Sequence, residues 1–352
     1  MTDHTAFARD QWYVAAWSSE VGRELLGRTV LGEPLALYRT QAGEPVVLAD
    51  RCVHRRYPLS AGGLDGDQVV CGYHGFTYDT TGTCVYVPGQ KRVPRTARVS
   101  SYPVAEVDAM VWVWIGDPEL ADADRIPRAP HLAEDGWVTV RGMEPIDADY
   151  GLLVDNLMDL SHETYLHGGY IGTPEVAETP ITTEVDETAG IVRVSRHMAD
   201  AECPPFYARS TGIEGRIQRL QDIEYHAPCL YLLHSRISPS GADPSGVDPS
   251  GAESSGAESP VFRTEITYAI TPSAPGKVYD FWAVSRNFAV DDHEVTDFLR
   301  DFNHTVVMQD VDALNLLQRS LDTEPAAYQE LSINIDTGGL AARRILAKLA
   351  AG

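Results

Sequence analysis

The chain has little positive charge and no long apolar run. Its 352 residues carry 28 Lys and Arg against 51 Asp and Glu, a formal net charge of −23 at pH 7. So strong a negative balance argues against nucleic acid or an anionic membrane surface as partner. No 18 consecutive apolar residues occur, so no transmembrane helix is expected. The first residues lack the basic segment followed by an apolar run that marks a secretory signal peptide. Cysteine is sparse, with five residues at positions 52, 71, 84, 203 and 229, too scattered to read as a disulfide framework. These absences point to a cytoplasmic protein. A chain of this length is expected to fold as two domains, each able to bury its own core.

Against that sparse background, two clusters of metal-binding residue types stand out. The first is Asn156-Leu-Met-Asp159-Leu-Ser-His162-Glu-Thr-Tyr-Leu-His167. Two imidazoles and one carboxylate on one face of an ion, with open positions opposite, form the ligand set of non-haem Fe(II) oxygenases. On a regular helix, at about 100° per residue, His162 and His167 would lie roughly 140° apart, too far round to share an ion. The spacing therefore predicts a π-bulge or kink between them. The alternative from this stretch alone is a pair of surface histidines on an amphipathic helix.

The second cluster is Cys52-Val-His54, followed after sixteen residues by Cys71-Gly-Tyr-His74. Each half offers one thiolate and one imidazole. A Rieske [2Fe–2S] cluster takes two Cys on one iron and two His on the other, so two loops that each carry one of each suit it. Zinc fingers group a Cys pair and then a His pair, and a zinc site from these four residues is the competing reading. Gly72 and Gly75 favour tight loops around bridging sulfides.

These motifs carry a resemblance. Together with Trp12-Tyr-Val-Ala-Ala-Trp17, Phe281-Trp282-Ala-Val-Ser-Arg-Asn-Phe288 and Asn334-Ile-Asp-Thr-Gly-Gly339, they make the chain resemble the Rieske non-haem iron aromatic-ring oxygenases nearly end to end. Within that family it is most similar to the oxygenase subunits of vanillate O-demethylases. It departs from the family pattern at Arg56 and Tyr57, where small residues are common, and at Phe76, where Trp is common.

Periodicity gives a coarse layout. Short strands broken by turns fill residues 10–120, among them Thr29–Glu33, Leu35–Tyr38, Val46–Ala49 and Met110–Ile115, which indicates an all-β first domain. The Asp, Arg and Pro content of Asp122–Pro130 marks the boundary, giving domains 1–125 and 126–352. In the second domain, Trp137–Arg141, Ile191–Ser195, Leu230–His234, Phe262–Tyr268 and Val278–Val284 alternate as strands of an antiparallel sheet. Helical periodicity occupies Asp149–Leu166, Asp292–Ser320 and Leu340–Leu349. The fold class is thus α+β in two domains, and the resemblance implies a helix-grip catalytic domain. A five-residue Pro, Ser, Gly and acid repeat across 239–260 cannot supply a core and is expected to be a mobile loop between two strands.

Charge is divided unevenly. Residues 1–120 hold 11 Lys and Arg against 14 Asp and Glu, whereas 121–352 hold 17 against 37. Arg55 and Arg56 beside His54 could help to dock an acidic electron donor, or be solvated loop residues.

The resemblance implies the rest. Cys52, His54, Cys71 and His74 would hold the [2Fe–2S] cluster, and His162 and His167 a mononuclear Fe(II). Asp310 aligns with the third iron ligand of relatives. Asp312 is its competitor, but two residues on a helix face directions about 200° apart, and Leu314 and Leu317 mark the face of Asp310 as buried. Asn156 belongs to the family motif, and Asp159 would bridge a cluster His of a neighbouring subunit to an iron His within a homotrimer. Electrons would come from an NAD(P)H-dependent flavin and iron–sulfur reductase, O2 would be consumed, and an aryl methoxy group such as that of vanillate would be hydroxylated and lost as formaldehyde. Trp282, Asn287, Arg219 and Tyr165 are candidate substrate contacts, with core packing the alternative for Trp282 and Tyr165. A hydroxylase or demethylase of another aromatic substrate is the second reading.

Overall fold

A computed structural model of the chain describes residues 7–241, 260–324 and 330–351. The first part is all-β. Its strands are β1 (Gln11–Trp17), β2 (Leu26–Val30), β3 (Glu33–Arg39), β4 (Pro45–Ala49), β5 (Gly63–Asp65), β6 (Gln68–Val70), β7 (Thr77–Tyr78), β8 (Cys84–Tyr86), β9 (Val104–Val107) and β10 (Met110–Ile115). They form three antiparallel sheets, ordered β1-β10-β9, β2-β3-β4 and β5-β6-β7-β8. The expected strand Thr29–Glu33 is instead a hairpin. β2 ends at Val30 and β3 begins at Glu33, with Leu31 and Gly32 between them at φ 50° and 77°. Positive φ at both positions is what a two-residue turn needs to follow the strand twist.

After β10 the chain runs through short 3-10 turns at Pro118–Leu120, Ala123–Arg125 and Pro130–Leu132, over the stretch expected to be a boundary. Asp117 and Asp122 start the first two by accepting the N–H of Glu119 and of Asp124, the local bonding that makes Asp a turn residue.

The second part is one large antiparallel sheet with helices on one face. Its strands are β11 (Val138–Ile146), β12 (Thr182–Asp186), β13 (Ile191–Glu202), β14 (Arg216–His226), β15 (Leu230–Pro239), β16 (Phe262–Ala274) and β17 (Lys277–Arg286). The order is β11-β17-β16-β15-β14-β13-β12. The helices are α1 (Tyr150–Met158), α2 (Glu163–Leu166), α3 (Pro174–Glu178), α4 (Pro205–Thr211), α5 (His293–Thr323) and α6 (Thr337–Ala351). Five of the seven strands coincide with expected ones; β12 and β14 were not anticipated. The repeat lies outside the described residues from 242 to 259, between β15 and β16, which pair up to Ile237 and Phe262.

The sheet is buried on both faces, which explains runs such as Leu230-Tyr-Leu-Leu in β15. Tyr231 and Leu233 join the core under the helices. Leu230 and Leu232, with Ala269, Phe281 and Ala283, join Trp12, Trp17, Trp112 and Trp114 in a core shared with the first part. The joint is tied by Leu31 N–H to Pro272 O at 2.9 Å, Thr271 Oγ1 to Val14 O at 2.7 Å and Trp17 Nε1 to Gly142 O at 2.8 Å. A third core, of Ala36, Tyr38, Leu48, Cys52, Leu59, Val69, Cys71, Tyr78 and a few neighbours, draws only on residues 36–99. The loops with Cys52 and Cys71 therefore stand on the side away from the large sheet.

Helix α5 follows its pattern. Asp292 caps it by accepting the Val295 N–H, and Leu299, Asn303, Val306, Val307, Asp310, Val311 and Leu314 are buried, one stripe at helical spacing. Leu317, expected on that stripe, is half exposed because the helix overhangs the core at its C-terminal end.

Candidate active site

The expected single helix from Asp149 to Leu166 is broken. Helix α1 stops at Met158, and Asp159 is extended at φ −121° and ψ 94°. A 3-10 turn, Leu160–His162, leads directly into α2, and His167 follows as a non-helical cap at φ −107° and ψ 23°. Of the expected π-bulge or kink, the described residues show no π-bulge but a broken helix, with a 3-10 turn at His162 and an unwound end at His167. Asp159 causes the break locally, since its carboxylate accepts from Ser161 N at 2.9 Å and Ser161 Oγ at 3.0 Å, a competitor to helical bonding. Beyond His167 the chain curls round its carbonyl, which accepts from the N–H groups of Tyr170, Ile171 and Gly172. Gly172 passes so close that an added Cβ would lie 1.7 Å from Glu163 O.

These turns bring His162, His167 and Asp310 together. Their ligand atoms lie within 4.8 Å of one another, the one such group found among the described residues. Asp310 Oδ1 is 3.2 Å from His167 Nε2 and 3.6 Å from His162 Nε2. Both outer imidazole nitrogens are held from behind, and the shared carboxylate oxygen takes a further bond. His162 Nδ1 meets Asp159 O at 2.5 Å, His167 Nδ1 meets Gln309 Oε1 at 2.8 Å, and Asn156 Nδ2 donates to Asp310 Oδ1 at 3.0 Å. Such outer contacts fix ring orientation at metal sites and leave both Nε2 atoms facing the carboxylate. Burial pushes the His167 imidazole toward its neutral form, but Asp310 and Gln309 outweigh this and raise its pKa. A negative oxygen between two imidazoles calls for a proton or a cation, and the donor set suits Fe(II). Asp312 is exposed and points away from this group.

The cavity beside the three residues is lined by Leu157, Leu160, Ile171, Phe206, Tyr207, Tyr231, Leu233, Ile266 and Tyr268, with Glu163, Arg219 and Asn303 as its polar members. Of the four candidate substrate contacts, only Arg219 lines it. Tyr165 is 84 % exposed because the turn through α2 directs it outward. Asn287 is exposed just past β17, and Trp282 is buried against Gly142 outside the cavity lining. Arg219 is itself engaged: its Nη2 donates to Glu163 Oε2 at 2.9 Å and its Nη1 to Ile171 O at 3.0 Å. It thereby clamps both ends of the segment that carries His167. Gln221 adds a bond to Glu163 Oε1 at 3.1 Å.

The two Cys–His loops match each other. Cys52 N–H reaches Tyr57 O and Arg56 N–H returns to Cys52 O, just as Cys71 N–H reaches Phe76 O and Gly75 N–H returns to Cys71 O. Arg56 and Gly75, at equivalent places, have φ of 58° and 71°. Both thiols are buried and both imidazoles are exposed, with their rings 4.6 Å apart. Tyr78 OH lies 3.1 Å from Cys52 Sγ. Burial raises the Cys71 thiol pKa, and the N–H groups of Tyr73 and His74 directed at its sulfur oppose this. These four do not close on a single point within 4.8 Å as the iron-type group does. A tetrahedral zinc site would require that, whereas a two-iron cluster with inner thiolates and outer imidazoles does not.

Comparison with known proteins agrees along the whole chain. Residues 11–103 match the Rieske [2Fe-2S] domain and residues 146–352 the vanillate O-demethylase oxygenase C-terminal domain. The vanillate O-demethylase oxygenase subunit of Pseudomonas sp. (strain HR199 / DSM 7063) is 33 % identical over 350 residues, covering 98 % of this chain and 95 % of that one. The chain belongs to the Rieske non-haem iron oxygenases. The iron–sulfur subunit of a toluene-4-sulfonate monooxygenase system from Comamonas testosteroni is 33 % identical over 293 residues, covering 83 % and 82 % of the two chains. The crystal structure of dicamba monooxygenase bound to dicamba superposes with a TM-score of 0.89 at 30 % identity, covering 98 % of both chains. The protein is thus a Rieske non-haem iron oxygenase with a [2Fe–2S] cluster and mononuclear iron, and the relatives it resembles are named as oxygenase or iron–sulfur subunits of O-demethylases and monooxygenases. Among the described residues no helix is long and apolar enough to cross a membrane.

Removing the clamp tests its weight. Arg219→Met leaves the Glu163 carboxylate buried without its cation, which typically destabilises by about 3–5 kcal/mol. Calorimetry should show a clear drop in melting temperature, and metal analysis should show mononuclear iron depleted with the cluster retained. An unchanged melting temperature with full iron would contradict the clamp.

Proposed function

We propose that this oxygenase O-demethylates a methoxylated aromatic acid of the vanillate type. The observation that carries the reading is a three-residue metal group set into the wall of a largely apolar, aromatic-lined cavity, in a chain alike end to end to a vanillate O-demethylase subunit. In this reading residues 1–125 form the electron-accepting unit, with Cys52, His54, Cys71 and His74 as cluster ligands, and residues 126–352 the catalytic unit, with His162, His167 and Asp310 as iron ligands. Asn156 orients Asp310, and the Asp159 carbonyl orients His162. When bound, the cluster and iron supply the reduction of O2, so that an O-methyl group, O2, two electrons and two protons give a hemiacetal and water. The hemiacetal then collapses to the phenol and formaldehyde.

Electrons come, in this proposal, from an NAD(P)H-dependent flavin and iron–sulfur reductase in the cytoplasm, where five unpaired cysteines are at home. The working form is a homotrimer in which one subunit's cluster serves the next subunit's iron. Support comes from the separate core under the cluster loops and from exposed Val53, Tyr73, Val85 and Tyr86 around their tip, an apolar surface that suits docking. Arg55 and Arg56 beside that tip would help to seat an acidic donor. The second reading, a hydroxylase or demethylase of another aromatic substrate, is supported by the same identity, over a shorter stretch, to a toluene-4-sulfonate monooxygenase subunit.

With a surrogate reductase, vanillate should yield formaldehyde in an O2-dependent reaction, and unmethoxylated analogues none. Ring or methyl hydroxylation without formaldehyde would decide for the second reading.

The iron assignment predicts that Asp310→Ala purifies with its cluster and little mononuclear iron, while Asp312→Ala keeps both. Metal analysis reading the reverse would exchange their roles.

Asp159→Asn retains an oxygen to accept the Ser161 N–H, and an amide N–H that can donate to Ser161 Oγ, but removes the charge that the trimer reading places between cluster and iron. Both metals should stay, and reoxidation of reduced cluster under O2 and substrate should slow by orders of magnitude in single-turnover kinetics. A near-normal rate would remove Asp159 from the electron path.

A further inference from the structure

The cavity wall contains two polar groups that satisfy nothing in the protein. Tyr231 is 0 % exposed, its ring lines the cavity, and its hydroxyl has no hydrogen-bond partner. Asn303 is 7 % exposed, lines the same cavity from α5, and its Nδ2 has none. Around them Tyr207 OH is bonded to Ser235 Oγ at 2.6 Å, Glu163 to Arg219 and Gln221, and Asp310 to the two imidazoles and Asn156, while Arg219, bonded through both terminal nitrogens, keeps a further unpartnered donor at Nε. Buried donors without acceptors typically cost about 1–3 kcal/mol each, so two of them on one cavity are groups in want of a ligand.

Their chemistry specifies that ligand. An amide N–H can only donate, and a phenol hydroxyl donates best to a charged oxygen. Cations and acids are mixed nearby, so the two donors, rather than net charge, specify an acceptor ligand. Arg196 and Arg219 are both buried on this side of the sheet, with Glu163 the acid that they share. Tyr231 stands on β15, in the electrostatic range of Arg196, Glu163 and Asp310, whereas Asn303 comes from the helix on the opposite wall. A neutral apolar ring would leave both donors unsatisfied.

We infer that Tyr231 and Asn303 are the substrate-orienting residues of this oxygenase: from opposite walls they donate hydrogen bonds to two separate oxygen substituents of an aromatic ring, at least one of them anionic, and so hold a third substituent toward the metal group. This rests on the proposed function for the site and adds which residues read the substrate. Neither is a catalytic residue, since neither touches the metal-binding group.

The test uses the loaded oxygenase and three probes: vanillate, which has a carboxylate and a phenol; 3-methoxybenzoate, which lacks the phenol; and guaiacol, which lacks the carboxylate. Binding is read by calorimetry, and formaldehyde release is followed separately. Tyr231→Phe should weaken vanillate tenfold or more while changing one of the two simpler probes by less than twofold, and Asn303→Leu should show the converse selectivity. Both variants should keep their cluster spectrum, their iron and a melting temperature equal to or above that of the parent, because each removes an unsatisfied buried donor. Equal losses on all three probes, a lowered melting temperature with binding intact, or no binding of any probe by the parent would overturn the inference. Selective losses without formaldehyde would keep the inference and refute demethylation, whereas formaldehyde release with both variants indifferent would do the opposite.

Discussion

The buried pair of Arg219 and Glu163 is the contact on which the catalytic half depends. Glu163 directly follows one member of the metal group, and Ile171, whose carbonyl takes the second guanidinium bond, lies four residues past the other. One strand-borne cation therefore ties both ends of the loop, to which Gln221, Gln309 and Phe206 add further bonds. Such a buried pair seldom adds net stability over an apolar equivalent, so its value here is positional: it determines where the His167 ring can point. Asn156 and Gln309 then complete the arrangement from two helices. A shift in any one of these elements would open the spacing between the imidazoles and Asp310.

The cluster half solves a different constraint by repetition. Two loops with the same pair of backbone bonds present a thiol inward and an imidazole outward, so a graded environment, dry at sulfur and wet at nitrogen, comes from one short motif used twice. Gly75 adopts its positive φ without strain, whereas Arg56 does so with a side chain, which is unfavourable unless the surrounding bonds impose it. Here the Cys52 and Tyr57 bonds impose it. The departure from small residues at this place therefore changes the surface near the cluster and leaves the loop path intact.

How far the sequence could be read followed from where function interrupts pattern. Motif spacing singled out the two Cys–His loops and the His162/His167 pair because those residue types have few other reasons to recur together, whereas Asp310, on a distant helix, was reached only through the resemblance. Strand β14 was missed because its inward positions include Arg219 and Gln221, polar residues that serve the loop and erase the apolar alternation by which strands are recognised. Strand β12 is a short, mostly exposed edge, with too little burial to leave a pattern. The helix break at Asp159 was hidden for another reason: Asp-x-Ser reads as ordinary helix surface until the carboxylate is seen bonding Ser161. Tyr165 and Asn287 were misjudged because proximity in sequence to a site does not fix the direction of a side chain. Leu317 sat in register with Leu314, but periodicity carries no information on where the underlying core ends.

The same face of the sheet collects groups that folding alone would not choose. Asp280 and Trp282 on β17 each have a buried polar atom without a partner, as do Tyr231 and Asn303. Burial, with Asp310 and Glu144 adding, holds the Asp280 carboxyl well above the usual carboxylate range and so favours its uncharged form. These groups together oppose folding by several kcal/mol at the usual rate for unsatisfied buried atoms. They are tolerated because the opposite face of the same strands packs Leu230, Leu232, Ala269, Phe281 and Ala283 against the tryptophans of the first domain, where the buried Thr267 and Thr271 hydroxyls have partners in His131 and Val14 O. The two faces of one sheet thus divide the labour. The face toward the β-domain supplies apolar burial, and the face toward the helices, beside its own apolar core, carries the metal group, the cavity and buried polar atoms without partners.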